Sequence, residues 1–170
     1  SSHAYMTAYK GGSLSAMYGL GYKRAPEGAY IVEKDGSITN VSGQIIVDEN
    51  GYPQYSDELQ YIGECTPDWK GGFGTSVKWK GLTVSVAFDG QHGGNVYSYT
   101  NAVLGTRGKG SFTLAGRYDG LVLDGVNQLP DGNFIRNTHK TADIVEYYGL
   151  AYAFQNCEQN FVSTEFLKLR

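Results

Sequence analysis

The sequence predicts a mainly β fold: antiparallel strands joined by tight turns and long loops, with at most one or two short helices. Composition is the first reason. The 170 residues include 24 Gly and 14 Tyr, and only 18% are charged. Glycine serves turns that need positive φ, while Tyr, Val and Thr suit strands. Alternation is the second reason. In "FGTSVKWKGLTVSVAFDG", residues 73–90, apolar and polar residues alternate on both sides of the Lys80-Gly81 break, the period of a strand with two unlike faces. The third is punctuation, since Asp35-Gly36, Asn50-Gly51 and Asp131-Gly132 are hairpin-type turn pairs.

Taken in order, residues 13–22 ("SLSAMYGLGY") read as one strand. Residues 23–68 are broken by Pro26, Gly28, Gly36, Gly43, Gly51 and Pro53, with "AYIVEK" and "GQIIVDE" between the breaks. They read as an exposed, β-structured excursion rather than a core. Residues 73–89 form the hairpin. Residues 90–160 hold no sustained period, except that "KTADIVEYYGLAYAF" has helical spacing near 141–148. There Ile144, Tyr147 and Tyr148 share a side, Thr138 or Thr141 serves as cap, and Gly149 as stop. Residues 161–170 resume alternation as the start of a return strand. A loop as long as 90–160 is uncommon in a compact soluble domain. Outer-membrane barrels pair short turns at one end with long loops at the other.

Size permits one domain with a sizeable core. A net charge of -3 and the lack of any Lys/Arg cluster argue against nucleic acid as a partner. No run of about 18 apolar residues exists to form a membrane-crossing helix. "SSHAYMTAYK" lacks the charged and apolar regions of a signal peptide, and with the ending "TEFLKLR" it reads as a piece of something longer. Cys65 and Cys157 either close a long loop or stand as free thiols; spacing leaves both open.

The hairpin carries the sharpest question. One face holds Phe73, Val77, Trp79, Leu82, Val84, Val86 and Phe88; the other holds Thr83, Ser85, Ala87 and Asp89. The first set is the candidate lipid-facing stripe, with Trp79 and Phe88 as aromatic ends. A hairpin covering a soluble core fits the same alternation.

Catalytic and metal chemistry find no constellation, so no enzyme, cofactor or metal is expected. His3, His92 and His139 are scattered in polar surroundings. Asp48, Asn50, Asp57 and Glu58 miss the spacing of a calcium loop, and "GTRGKG" misses that of a phosphate loop. Asn95, Tyr97, Tyr99 and Asn101 are the candidate substrate contacts, because rings beside amides suit sugars. Equally, these tyrosines prop up their loop.

"YIGECTPDWKGGFGTSVKWKGLTVSVAFDGQHGGNVYSYT" resembles the C-terminal barrel region of SusC/RagA-like TonB-dependent outer-membrane transporters of Bacteroidetes. The likeness is carried by Ile62-Gly63, Pro67, Trp69, Gly72-Phe73, Trp79-Lys80-Gly81-Leu82, Val84-Ser85, Gly90, Gly93-Gly94, Val96-Tyr97 and Tyr99-Thr100. "GGSLSAMYGLGYKR" upstream, with "FTLAGRYDGLVLDGV" and "FVSTEFLKLR" downstream, continues it in order. Glu64-Cys65-Thr66 departs from the family pattern.

The resemblance implies part of a large plugged barrel of about 22 strands, with long loops outside the cell. It implies a SusD-like surface lipoprotein as partner and energy from the TonB complex through an N-terminal part. The cargo would be a glycan or peptide. The contrasting expectation is a soluble, β-rich extracellular glycan-binding module, in which the hairpin would be buried against its own chain.

Overall fold

The computed structural model describes residues 5–8 and 10–170; His3 lies outside them. Twelve strands occur among these residues. The first five are β1 (Tyr5–Met6), β2 (Ala16–Gly19), β3 (Tyr30–Val32), β4 (Ile38–Asn40) and β5 (Gln60–Glu64). Then come β6 (Trp69–Trp79), β7 (Leu82–His92), β8 (Asn95–Tyr97), β9 (Val126–Gln128), β10 (Phe134–Arg136), β11 (Phe161–Ser163) and β12 (Phe166–Leu169). Three short helices, α1 (Tyr99–Thr106), α2 (Ile144–Ala151) and α3 (Cys157–Asn160), accompany a 3₁₀ turn at Ser111–Leu114.

All strand pairs between named strands are antiparallel. The long hairpin β6–β7 pairs from Trp69↔His92 to Trp79↔Leu82, and β12 joins the other edge of β7. The hairpin reaches beyond the expected 73–89 because glycines 71, 72 and 90 still pair across it. Lys80 (φ 44°) and Gly81 (φ 89°) make its two-residue turn. Positive φ at both central positions matches the right-handed twist of the strands.

β5 leads into β6, β7 into β8, and β11 into β12, each through a short interruption at one level. Bonds across the interruptions hold the strands side by side: the Asp68 N–H donates to the His92 carbonyl, and the Thr164 N–H to that of Gly94. Gly94 has no room for a side chain there, since a Cβ would come within 2.7 Å of the Thr164 hydroxyl. Beyond this level β2 pairs with β5, and β11 with β8. Among the described residues the sheets do not close on themselves.

Both long connections, residues 20–59 and 98–160, leave the wall at the end away from Lys80-Gly81, and they fold against each other. The principal core lies here: Ala25, Ala29, Ile31, Val41 and Ile46 from the first connection pack with Val126 and Phe134 from the second. This corrects the reading of 23–68 as an exposed excursion without a core. Its apolar residues are too few and too widely spaced to show a period, yet Val41, Ile46 and Val47 are almost fully buried because a partner 80 residues away covers them. The seam is stitched by backbone bonds from Val47 N–H to the Val126 carbonyl (2.8 Å) and from Val126 N–H to that of Ile45 (2.9 Å).

A second cluster joins Tyr148, Ala151 and Tyr152 of α2 and its cap, flanked by Ile144 and Tyr147. Phe112 stacks on Tyr152 at 4.6 Å. Gly105 lets α1 approach, since a Cβ would lie 2.1 Å from the Tyr152 ring.

The helices differ from expectation. Three α-helices form rather than one or two, because Ser98 and Asn156 cap α1 and α3 through side-chain oxygens accepting from Asn101 and Gln159. The α2 cap is Asp143, accepting from Val145 and Glu146, not Thr138 or Thr141. Gly149 lies within α2, not at its end. Residues 90–160 therefore carry α1–α3 and the short strands β8–β10.

The two cysteines are free thiols. Cys65 donates its N–H to Ser15 and Cys157 to Leu20, five residues apart on one extended chain. That is about 16 Å at ~3.3 Å per residue, beyond the reach of a disulfide.

Two outcomes follow from the seam. Ile46→Ala should lower stability by about 2–5 kcal/mol through lost burial and a residual cavity, whereas Val145→Ala, 74% exposed, should stay within about 0.5 kcal/mol; denaturant unfolding checks both. Burial also pushes the Tyr55 and Tyr147 phenols from 10 to about 12, and raises that of Tyr22. A phenol with a raised folded pKa supports the fold fully below pH 10, and that support is lost as pH climbs toward about 12. The late-titrating share of the tyrosinate absorbance, from these three phenols, should therefore appear together with loss of the seam in that window.

Candidate functional site

The pleat of β6 and β7 separates two unlike faces. Register pairs Phe73 with Phe88, Thr75 with Val86, Val77 with Val84 and Trp79 with Leu82, so all seven stripe candidates share one face. Phe73, Val77, Trp79, Leu82, Val84 and Phe88 are exposed and Val86 is half-buried. β12 widens the stripe, because Leu167 and Leu169 pair with Gly90 and Phe88 on that face. Leu167 is 79% exposed. The alternation in "FVSTEFLKL" was readable, but its side of the wall depends on pairing with β7.

Aromatic residues end the stripe. Trp79 sits beside the turn with the Lys80 ammonium over its ring at 5.2 Å. Trp69, ten residues along the same face, stacks on His92 at 6.3 Å. The sequence reading named Phe88 for the upper end, yet Trp69 lies beyond it. The Gly-Gly pair between Trp69 and Phe73 hid the continuation of the strand.

The opposite face is largely polar and internally bonded, with Phe166 of β12 lying there beneath the Lys168 ammonium. Ser85 donates to Ser76 at 3.0 Å, Arg170 Nε to Asp89 at 2.8 Å, and Gln91 Nε2 to the Thr164 hydroxyl at 2.7 Å. At the level of the strand interruptions His92 pairs with Glu165. The Gly93 N–H donates to Glu165 at 3.0 Å and, with it, holds that carboxyl below the usual range. On β5, hydroxyls of Ser15 and Ser13 do the same for Glu64.

The four substrate-contact candidates stand at the junction of wall and cap. Tyr97 donates its hydroxyl to the Phe154 carbonyl at 2.8 Å and sets its ring edge-on to Phe161. Asn101 Nδ2 donates to the Gln159 carbonyl at 3.2 Å. Tyr99 stacks on Phe154 at 5.0 Å. These contacts bind β8 and α1 to the α2–α3 region. Asn95 lines a cavity of about 360 Å³ with Arg24, Gln60 and Glu158.

Larger cavities also open in the cap. One of about 650 Å³ is lined by Asp48, Asn50, Gln54, Asn127, Gln128 and His139, among others. Asn127 is buried; its amide donates to the Val47 carbonyl at 2.8 Å while its Oδ1 has no partner among the described residues. Another, of about 580 Å³, lies between α1 and α2. Sequence reading missed both, because each gathers residues from segments distant in the chain. Among the described residues no group of three His, Cys, Asp or Glu is placed to hold a metal ion. No helix among them is long and apolar enough to cross a membrane.

No family model matches the chain. It is similar to TonB-dependent receptor P3 of Formosa agariphila, at 27% identity over 101 residues. That stretch is 57% of this chain and 10% of the relative, so the chain spans only a small part of that receptor's length. The fold is mainly β with antiparallel sheets, and the likeness to a TonB-dependent receptor is distant and partial.

Proposed function

We propose that the chain is a segment of an outer-membrane TonB-dependent importer for glycans or similar nutrients. In this reading β6, β7 and β12 are wall strands in the bilayer, and residues 20–59 and 98–160 form a cap outside the cell. The observation that carries it is the unlike pair of faces: an exposed apolar stripe on one side and a bonded polar surface on the other. An 11-residue strand is about 35 Å long and, at ~45° tilt, crosses an apolar band of ~25 Å. Tryptophans at both ends of the stripe suit two water interfaces. The partial likeness to a TonB-dependent receptor points the same way.

The finer assignments rest on the family resemblance. They are a SusD-like lipoprotein as partner, energy from the TonB complex through another part of the protein, and a role in binding and passage rather than catalysis. The lipid-facing residues in this reading are Phe73, Val77, Trp79, Leu82, Val84, Val86 and Phe88.

The test is face-selective. With the chain in lipid vesicles, brominated acyl chains should quench Trp79 and Trp69. Val84→Arg should destabilise the inserted form by about 2–4 kcal/mol, while Ser85→Arg, one residue away on the polar face, should cost far less. Without detergent or lipid, light scattering should show association through the stripe and the open edges of β6 and β12. A monodisperse monomer in plain buffer, or equal effects of the two arginines, would favour a soluble glycan-binding module.

A further inference from the structure

The cavity of about 580 Å³ is lined by Arg107, Lys109, Arg117, Tyr118, Ile144 and Tyr148, and no Asp or Glu lines it. Three cations thus share one concavity in a chain whose net charge is -3. Arg117 is held rigidly. Its Nε donates to the Thr113 carbonyl at 2.7 Å, and its Nη2 donates to the Gly108 carbonyl at 2.6 Å and the Thr113 hydroxyl at 2.7 Å. Those bonds occupy Nε and both hydrogens of Nη2, and leave Nη1 to donate singly to a carboxylate or sulfate.

Arg107 and Lys109 are exposed and take part in none of the ion pairs among the described residues. The carbonyl end of α1 beside them offsets only about half a charge. Acids on the neighbouring helix are engaged elsewhere. Asp143 caps α2, and Glu146 accepts from the Tyr52 hydroxyl at 2.9 Å.

At the mouth stands Tyr118, 96% exposed. A ring so uncovered adds nothing to the core and presents both faces to solvent. Tyr148 cannot play the same part, because it is buried, with its ring packed against Tyr147 and Tyr152. An aromatic face beside convergent charges fits a sugar ring carrying an acidic group.

We propose that this cavity binds an anionic oligosaccharide, with a carboxylate or sulfate between Arg107, Lys109 and Arg117 and a sugar ring on Tyr118. The choice of an extracellular sugar rests on the importer reading above; the charge chemistry of the cavity does not.

Calorimetry on the full chain in detergent micelles tests it, with neutral, uronate-bearing and sulfated oligosaccharides of matched length. At least one acidic series should bind about tenfold or more tighter than the neutral one, weakening as salt rises; the stronger series identifies the acidic group. The double variant Arg107→Ala/Lys109→Ala should lose about tenfold in affinity with its unfolding midpoint unchanged. Tyr118→Ala should weaken oligosaccharide binding but not competition by inorganic sulfate. Absence of binding, equal affinity for neutral sugars, or an unaffected double variant overturns the proposal. Trp79 quenching by brominated lipid reads the membrane assignment separately: quenching without sugar binding sinks only the cavity, and binding without quenching sinks only the wall.

Discussion

Everything above the wall depends on the burial of Ile46 against Val126. The principal core draws on both connections. Residues 20–59 contribute small and β-branched side chains, and residues 98–160 cover them with Val126 and Phe134. The parallel bridge between Ile46 and Val126 and the paired backbone bonds beside it fix the register of one connection on the other. Secondary ties run outward from that seam. Asp143 N–H donates to the Tyr52 hydroxyl, Ala142 N–H to the Asn50 carbonyl, and Cys157 N–H to that of Leu20. The cavities are by-products of this arrangement, lying where short helices and turns from distant segments meet without filling the space.

Below the cap the governing constraint is different. A period of two and a two-residue turn suffice to separate apolar from polar side chains on β6 and β7, with no help from tertiary packing. The three interruptions at residues 65–68, 93–94 and 164–165 mark the level at which one regime gives way to the other. Glycines 93 and 94, both with positive φ, let the strands change course there without losing their neighbours.

Legibility in the sequence followed the range of the interactions. The hairpin was readable because its pattern is local: Trp79, Leu82, Val84 and Phe88 declare their shared face without any partner. The core was not, because Val41 and Ile46 look like residues in a turn-rich loop until Val126 arrives. Helix α2 was visible through Ile144, Tyr147 and Tyr148, but its cap was misassigned. A threonine and an aspartate are equally good candidates on paper, and it is Asp143, immediately before Ile144 and extended in backbone, whose oxygen accepts from Val145 and Glu146. Tyr97 and Asn101 showed suitable chemistry in the sequence, yet their polar groups bond Phe154 and Gln159. The cationic cavity escaped because Arg107 and Arg117 sit on opposite sides of a 3₁₀ turn that no period announces.

The Lys80-Gly81 turn also sets an order of assembly. Closing two residues costs little entropy and an isolated hairpin forms in roughly 1–10 μs. Joining Phe161 to Tyr97 instead requires the intervening chain to become compact first. β6 and β7 can therefore present an interdigitated ribbon while the segment after Tyr97 is still a coil. Docking of β12 along Phe88–Gln91 then comes late, as the clasp that secures the finished cap to its stem.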